Sequence, residues 1–521
     1  MEEIREYVVT SVDEESTGLL LRDLVTDNET PETIPDRSVW VEDIRLPNAR
    51  NTTYLLTEKE VEKLKQDPRV EDVFDVEFMK ARKLAFQDGD FSKTTEEIGE
   101  RQNWGLLRHI NTTNVFGAST ADPGGSYDYV LDGTGVDVVI VDSGIQADHA
   151  EFHDENGVSR VRQIDWFAES GVSGTMPENF YTDYDGHGTH VAGTVAGRRF
   201  GWARNADIYA MKLNDLKGAP DPGNGLSIAN AMDCIIGWHN NKTNGRPTVV
   251  NNSWGFLFFW RTNDNAFSFS DTGGTTYAID GGEYRGTAWS GSTKDVAKGH
   301  TGAPFSSTVF GFSFPVSSVD ADIAQMISAG IIVCNAAGNE FLKVDVPGGN
   351  DYDNYITLTN FGDFYYHRGG SPRAGALFGF DVGSLGPSTV SNQDAKSSFS
   401  NSGPGISLYA AGSRIMSAMS EVNDDNSSNV YFYDFNFKQQ LLSGTSMASP
   451  QVAGIAALLL QAHPDWTPEQ IHNWIIFNSQ SEMYSSGLDN DYDTTTSIHG
   501  GENALCYFPM NGRKTFEISS T

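Results

Sequence analysis

The sequence predicts an α/β fold: a mostly parallel sheet with helices on both faces, plus a small α+β unit at the N-terminus. Short, mostly β-branched runs such as residues 136–141 are typical of strands buried on both faces, as in parallel sheets. A long helix of small and apolar residues at 447–462 suits close packing against such a sheet. Together these features indicate a sheet covered by helices.

The domain boundaries follow from composition. Residues 1–80 form the predicted N-terminal unit, in which Thr57 and Glu60 are spaced as a capping box that begins a helix. Residues 81–103 are polar and charged, as expected of a linker. The main domain is predicted over 104–480, followed by a polar extension over 481–521.

An aspartate lies where the first buried strand of the main domain ends. Asp142 directly follows the mostly β-branched run 136–141. The carboxyl ends of parallel strands are where open α/β sheets bind ligands. Asp142 is therefore a candidate functional residue, and a simple turn or cap is the alternative.

Two histidines begin a helix of small residues. His187 lies at its start and His190 one turn later. Such a pair could ligate a metal, but no third ligand cluster is visible, and the adjoining Gly and Thr suit tight packing better. We therefore expect His187 to act without a metal.

A serine lies at the start of the long apolar helix. Gly444 precedes it and allows a sharp entry, so the hydroxyl of Ser446 is exposed at a helix N-terminus. A serine becomes a good nucleophile when a histidine takes its proton and an aspartate orients that histidine. The sequence offers both residue types.

The three segments, in the order Asp142, His187 and Ser446, resemble the subtilisin-like serine proteases, or subtilases. The resemblance covers about residues 104–464. It implies a subtilisin-like sheet and a serine endopeptidase that acts on proteins or peptides through an acyl-enzyme. The alternative is a structural or virion-associated assembly protein that carries a latent subtilase domain.

The resemblance also assigns the remaining parts of the site. Asn339 follows a buried strand and resembles the oxyanion-hole residue, whose removal in subtilisin itself costs ~100- to 1,000-fold in rate. The substrate-binding residues that it implies are Ser253, Trp254, Gly255, Ala337 and Gly338. The aromatic run after Gly255 indicates a preference for apolar or aromatic P1 side chains, with core packing as the alternative.

Two further regions follow from the resemblance. Residues 1–80 resemble an inhibitor-like propeptide, which would act as an intramolecular inhibitor and be cut between about residues 78 and 102. An ordinary docking domain is the alternative. An insertion at about 256–318 covers the cleft, contacts a partner or carries small hairpins of its own, and the sequence does not decide among these.

Composition limits partners and location. The chain has 36 Lys+Arg against 70 Asp+Glu, a net charge of −34, which argues against nucleic acid and anionic membranes as partners. Without a visible secretory signal, and with three scattered cysteines, we expect a cytoplasmic or virion-associated protein. No cofactor is required for the chemistry. Calcium at Asp424-Asp425 or Asp489-Asn490-Asp491 is less favoured than solvated acidic loops.

Overall fold

The computed structural model divides the chain into two compact units, residues 1–86 and 87–521. The structure describes residues 4–25, 39, 41–44, 51–75, 102–116, 123, 129, 131–178, 180–213, 225–261, 266–269, 276–277, 279–290, 309–358, 362–372, 378–388, 393–422, 429–480 and 497–509.

The first unit is a four-stranded antiparallel sheet with two helices. Its elements are β1 (Ile4–Ser11), α1 (Glu14–Val25), β2 (Val41–Ile44), β3 (Asn51–Thr57), α2 (Glu58–Leu64) and β4 (Val70–Asp75). The strand order is β2-β3-β1-β4. The predicted capping box is confirmed, since Glu60 N–H donates to the Thr57 hydroxyl and Thr57 N–H to the Glu60 carboxylate. Its core includes Tyr54, Leu56 and Leu64.

The second unit contains the remaining elements. Its strands are β5 (Asp137–Asp142), β6 (Val161–Arg162), β7 (Asp207–Lys212), β8 (Thr248–Asn252), β9 (Leu257–Arg261), β10 (Ala266–Phe269), β11 (Thr276–Tyr277), β12 (Ile279–Tyr284), β13 (Thr287–Ser290), β14 (Val309–Ser313), β15 (Ile332–Ala336), β16 (Tyr355–Leu358), β17 (Gly362–Phe364), β18 (Phe380–Gly386), β19 (Ala395–Lys396), β20 (Leu408–Ala411), β21 (Ile415–Met419), β22 (Asn429–Val430) and β23 (Lys438–Leu442). Its helices are α3 (Gly105–Arg108), α4 (Trp166–Ser170), α5 (His187–Ala196), α6 (Ile228–Asn241), α7 (Ser317–Ser328), α8 (Thr445–Ala462) and α9 (Pro468–Asn478), with a 3-10 turn at Ala150–Phe152.

An eight-stranded sheet forms the centre of this unit. Its order is β19-β18-β15-β8-β5-β7-β6, and β20 also pairs with β18. Every pairing is parallel except that of β18 with β19. The predicted α/β class with a mostly parallel sheet is thereby confirmed.

Helices cover both faces of the sheet. Val139 and Val141 of β5 share one apolar core with residues of α6 and α7. Because side chains alternate along a strand, Val138 and Ile140 face the opposite side. There α5 packs on β5, and α8 packs on α5, β8 and β15. The carboxyl ends of the parallel strands thus meet the starts of α5 and α8 at one edge.

The insertion at about 256–318 forms hairpins, one of the three alternatives that the sequence left open. The antiparallel order β11-β10-β9-β14 makes one four-stranded sheet. A second sheet, β13-β12-β16-β17, joins the hairpin of β12 and β13 to strands of the main domain.

The segment 497–509 belongs to the core of the second unit. Leu505 lies beside Tyr409 of β20 in a parallel bridge, and Leu505, Cys506 and Phe508 are fully buried. The imidazole of His109 accepts from Ala411 N–H and contacts the carbonyl of Cys506 at 2.8 Å. This segment therefore ties the start of the second unit to the edge of its sheet.

Across the described ranges, no helix combines the length and apolar character needed to span a bilayer. Cys234, Cys334 and Cys506 are each buried as free thiols.

Candidate active site

Asp142 and His187 meet at the carboxyl edge of the sheet. Asp142 is the last residue of β5 and is buried, and His187 is the first residue of α5. Nδ1 of His187 lies 2.8 Å from Oδ1 of Asp142. The same carboxylate oxygen accepts the backbone N–H of Ser143 at 2.8 Å. This contact fixes the ring so that its Nε2 is left to interact elsewhere.

A buried carboxylate holds the start of α5 in place. Asp183 accepts four hydrogen bonds: from Gly186 N–H, Thr189 N–H, the Thr189 hydroxyl and the Ser143 hydroxyl, at 2.5–2.9 Å. Gly186 precedes the helix with a φ of +88°, a conformation that glycine adopts without steric cost. Asp183 and Ser143 therefore orient both the strand end that carries the aspartate and the helix that carries His187.

The Asp142 carboxylate also controls the charge of the His187 imidazole. Burial favours the neutral form of His187, but the charge of Asp142 and the hydrogen bond to it outweigh burial and raise the pKa of His187 from 6.5 to about 9. The pair therefore stabilises an imidazolium strongly. The neutral base becomes fully available only in the alkaline range.

Ser446 lies in the first turn of α8. Its hydroxyl donates to the carbonyl of Ser253 at 3.0 Å, and the hydroxyl of Ser253 donates to the carbonyl of Ser446 at 2.9 Å. The structure forms no hydrogen bond between Ser446 and His187. Asn251 lies behind this pair and accepts from the hydroxyl of Ser449 at 2.8 Å. The first turn of α8 is thus fastened to the end of β8.

Two N–H donors border one space beside Ser446. The side-chain oxygen of Asn339 accepts from Thr445 N–H at 2.8 Å and from the Thr445 hydroxyl at 3.0 Å, which leaves its amide Nδ2 pointing elsewhere. A carbon placed at the missing Cβ of Gly444 would lie 3.6 Å from both Asn339 Nδ2 and Ser446 N. A small anionic atom in this space could receive two hydrogen bonds.

The loop that carries Asn339 is held by Asn401. The Asn401 amide donates to the carbonyl of Ala337 at 2.9 Å and to the carboxylate of Glu340 at 2.7 Å. Its oxygen accepts from the N–H groups of Glu340 and Leu342 at 3.2 and 2.7 Å. The fully buried Asn401 thus brackets the exposed Asn339 on both sides.

Gly338 is required by this packing. Its φ is +102°, and a Cβ there would lie 2.3 Å from the Asn401 amide nitrogen and 2.5 Å from the Glu340 carboxylate. Gly338 N–H donates to the Thr445 hydroxyl at 3.0 Å. The predicted substrate residues Ala337 and Gly338 therefore lie next to the start of α8.

The segment after β8 presents one free backbone edge. Phe256 N–H donates to the carbonyl of Gly370 at 2.7 Å, and the Phe256 carbonyl accepts from Phe314 N–H at 3.2 Å. Gly255 is exposed, and its backbone makes no hydrogen bond to another described residue. The side chain of Trp254 packs in the core beneath the sheet rather than into a cleft.

His190 is a structural residue. Its Nε2 lies 3.1 Å from the Ile415 carbonyl and 3.0 Å from the Gln440 carbonyl, and burial lowers the pKa of His190 to about 3. A ring that donates to carbonyls through Nε2 is not available as a metal ligand through that atom. The structure therefore does not pair His187 with His190 at a metal.

Two buried carboxylates near the start of the second sheet are already paired with cations. Asp351 and Asp345, both buried, are neutralised by Lys343, and Asp351 also by Arg285. The described part of the chain contains no group of three or more His, Cys, Asp or Glu residues placed to hold a metal. The acidic clusters at Asp424-Asp425 and Asp489-Asn490-Asp491 lie outside the described residues.

Sequence reasoning missed the residues that hold this site together. Asp183 lies four residues before His187 within the same polar motif, so its position offered a signal. Asn401 lies 62 residues after Asn339 in the run Ser397-Ser398-Phe399-Ser400-Asn401-Ser402, where only an unusual density of small polar residues marks it. Thr445 immediately precedes the predicted nucleophile.

Comparison with known proteins places this arrangement in a family. The sequence profile of the Subtilase family matches residues 133–496, well over half of the chain. The extracellular serine proteinase of Thermus sp. (strain Rt41A) is 25% identical over 82% of this chain and 70% of its own length. The alkaline serine exoprotease A of Vibrio alginolyticus is 26% identical over 81% of this chain and 53% of its own length.

A subtilisin-like protease of Coccidioides posadasii (strain C735) is 28% identical over 74% of this chain and 65% of its own length. The chain thus spans from about half to 70% of these relatives. The crystal structure of a cold-adapted subtilisin-like serine proteinase is 22% identical, with a TM-score of 0.44, over 78% of this chain and 98% of that one.

The predicted cytoplasmic or virion-associated location is wrong. The Thermus relative is by name an extracellular serine proteinase, and the Vibrio and fungal relatives are by name a serine exoprotease and a subtilisin-like protease. The prediction relied on the N-terminal composition and on the free cysteines, neither of which reports on where a folded protease works.

Proposed function

This chain belongs to the subtilase family of serine endopeptidases, and on that premise we propose that Asp142, His187 and Ser446 are its catalytic triad. The observation that carries the proposal is the 2.8 Å contact between His187 Nδ1 and Asp142 Oδ1, at the sheet edge where the helix of Ser446 begins. The chemistry is peptide-bond hydrolysis through an acyl-enzyme.

The reaction begins with a rotation of the nucleophile. On substrate binding, the Ser446 hydroxyl leaves the carbonyl of Ser253 and turns to Nε2 of His187, since catalytic hydrogen bonds often form only in the complex. His187 takes the proton as Ser446 attacks the scissile carbonyl. His187 then protonates the leaving amine, while Asp142 stays ionised and stabilises the imidazolium.

The developing oxyanion is stabilised by two donors. Asn339 Nδ2 and Ser446 N–H converge on the space beside Gly444, and the contacts of Thr445 with the Asn339 oxygen set the orientation of the amide. Such preorganised donors act most strongly on charge that appears only in the transition state. Water then hydrolyses the acyl-enzyme by the reverse sequence of proton transfers.

The substrate binds as an added strand. The acyl side of the peptide pairs with the free backbone edge at Ser253, Trp254 and Gly255, and its P1 side chain lies between this segment and Ala337–Gly338. The aromatic run that follows, Phe256-Leu257-Phe258-Phe259-Trp260, favours apolar or aromatic P1 residues. A peptide library that is cut only after Arg or Lys would overturn this preference.

Casein hydrolysis by matched variants tests the triad. Wild type should degrade casein, whereas Ser446→Ala and His187→Ala should lose about 10,000-fold or more in kcat. Ser443→Ala is the control, since this serine lies three residues earlier and accepts from Arg414 N–H. Equal activity of Ser446→Ala and wild type would refute the assignment.

The N-terminal unit is proposed to be a propeptide that inhibits the enzyme. The four-stranded sheet with two helices over residues 4–75 is a self-contained unit with its own core, as an inhibitor-like domain requires. Residues 102–109 are almost wholly buried in the second unit, so the cut must precede Gln102. The predicted boundaries at 80 and 103 remain a proposal.

Intact mass tests this proposal. Wild type should lose a fragment that ends between residues 78 and 102, and Ser446→Ala should stay full-length. An active wild type that keeps its whole N-terminus would show that the unit is a lasting docking domain instead.

A further inference from the structure

The residue two positions after Asn339 has a strained backbone. Phe341 has a φ of +57°, in the left-handed region that a bulky residue enters only at a cost in energy. Such a conformation persists where the surrounding contacts impose it. Because only Glu340 separates the two residues, the contacts that hold Phe341 also bear on where the Asn339 amide lies.

A neighbouring segment holds one side of this loop by its backbone. Phe341 N–H donates to the carbonyl of Phe399 at 2.8 Å, and Asn401 N–H donates to the carbonyl of Gly338 at 3.0 Å. These two bonds lie on either side of Asn339 along the chain. The path of residues 399–401 therefore determines the path of the loop.

Lys396 fixes the turn that leads into that segment. Its side chain is buried, and its Nζ donates to the carbonyls of Ser397 and Ser400, each at 2.9 Å. Ser400 N–H closes the turn by donating to the Ser397 carbonyl at 3.0 Å. No carboxylate in the described part of the chain forms an ion pair with Lys396. The two carbonyls are thus its compensation for burial.

The same nitrogen also contacts the strained residue. Lys396 Nζ lies 4.8 Å from the centroid of the Phe341 ring, and the imidazole of His499 lies 5.2 Å from that centroid. Burial lowers the pKa of Lys396 to about 7. The neutral amine keeps two N–H groups for the two carbonyls, so these bonds persist in the alkaline range where His187 is a base.

We propose that Lys396 is a positioning residue of the oxyanion hole, which holds Phe341 in its left-handed conformation and thereby keeps the Asn339 amide in place. This inference rests on the proposed function, in which Asn339 stabilises the oxyanion. Without the Lys396 contacts, Phe341 relaxes to a negative φ, and the chain turns differently two residues after the donor. Lys396 itself does not contact the substrate.

Hydrolysis of a peptide p-nitroanilide by Lys396→Met tests the proposal, with kcat expressed per active site titrated with a fluorophosphonate. Methionine keeps the apolar packing but donates to neither carbonyl. Because Asn339 acts on the transition state, we expect kcat to fall about 10-fold and KM to stay within about 2-fold of wild type. A fall in kcat below about 3-fold, or a change in KM alone, would overturn the proposal.

A second buried lysine provides the control for a loss of stability alone. Lys242 lies over the ring of Trp238 at 4.6 Å and donates to Asp137, at the amino end of β5 and away from the site. Lys242→Met should therefore lower Tm and leave kcat unchanged. A similar fall in kcat in both lysine variants would show that Lys396 acts through general stability and would refute positioning.

Substitution of Phe341 isolates the role of strain. Glycine adopts a positive φ without steric cost, so Phe341→Gly should make the loop independent of Lys396. In this background Lys396→Met should change kcat less than about 2-fold, whereas in Phe341→Leu, which keeps the strain, it should still lower kcat several-fold. Equal losses in the two backgrounds would overturn the proposal. If Lys396→Met does not fold, kcat of Phe341→Gly should equal or exceed that of Phe341→Leu, and the reverse order would refute the role of strain.

Failure of the proposed function gives a different result. Wild type that does not hydrolyse the p-nitroanilide, or an Asn339→Ala variant as active as wild type, would refute the oxyanion assignment and the positioning role with it. Hydrolysis that depends on Asn339 but not on Lys396 would refute only the positioning role.

Discussion

Replacing Asn401 with alanine should perturb the proposed oxyanion hole through the loop that carries Asn339, since Asn401 itself is buried behind that loop. The Asn401 side chain is fully buried and makes four hydrogen bonds, to Ala337 O, Glu340 N, Leu342 N and the Glu340 carboxylate. These bonds bracket Asn339. Alanine forms none of these bonds, so the side chain of residue 401 no longer holds the loop on either side of the Asn339 amide.

The size of the effect follows from the groups left behind. Three buried backbone groups lose their partner, and each costs about 1–3 kcal/mol when it is left unsatisfied. Relaxation of the loop and water that enters the space recover part of this loss of hydrogen-bond energy. We therefore expect the free energy of unfolding to fall by about 3–5 kcal/mol. Misplacement of the donor should lower kcat/KM by up to the ~100- to 1,000-fold that loss of such a donor costs.

A double-mutant cycle with Asn339→Ala separates positioning from stability. If Asn401 acts through Asn339, then Asn401→Ala should reduce kcat/KM strongly in wild type and by less than about 3-fold in Asn339→Ala. Ile471→Ala, in the buried face of α9, should cost a similar ~2–5 kcal/mol in stability and leave kcat/KM of the folded enzyme unchanged. Equal activity losses in both backgrounds, or an unfolding change below 1 kcal/mol, would refute the reasoning.

Four further outcomes follow. A pH profile of kcat/KM should rise through a midpoint near 9, where His187 becomes neutral, and Asp142→Asn should lower that midpoint, because the charge of Asp142 no longer offsets burial; a wild-type midpoint below 7.5 would contradict this. Because the pKa of His187 is raised on folding, denaturation at a series of pH values should show its stabilising contribution in full below pH 6.5 and lost as the pH rises through 9, an effect that Asp142→Asn removes. Asp183→Ala should cost about 3–5 kcal/mol in chemical denaturation and lower kcat, since four donors lose their acceptor; an unchanged kcat would contradict a positioning role. Deletion from Ser497 onward removes the buried Phe508 and its neighbours and should lower Tm by more than 10 °C or prevent folding.

The sheet and the three candidate catalytic residues were predictable because their signals are local. Each signal lies within about ten consecutive residues: a strand that ends in Asp142, and helices that begin at His187 and near Ser446. Strand and helix patterns of that length fix which residues lie at element ends. Parallel pairing then brings those ends to one edge.

The supporting contacts were not predictable, because they join residues far apart in sequence. Asn401 reaches a loop about 60 residues earlier, and a polar run gives no indication of which partner its amide will find. The segment 497–509 was assigned to a polar extension because the tail after residue 480 is polar and rich in Gly, Ser and Thr, which mask the buried Leu505 and Phe508. For the insertion, the sequence left small hairpins as one of three alternatives, and it gave no indication that β12 would pair with β16 of the main domain.

The central claim is that Ser446 is a nucleophile activated by His187, and labelling with a fluorophosphonate tests it most directly. Wild type should take up one equivalent, mapped to Ser446 by peptide mass, with a rate that rises through pH 9 and falls at least 1,000-fold in His187→Ala. The Ser446→Ala variant should remain unlabelled. Label on another serine, or a rate at Ser446 that does not depend on His187, would contradict the account.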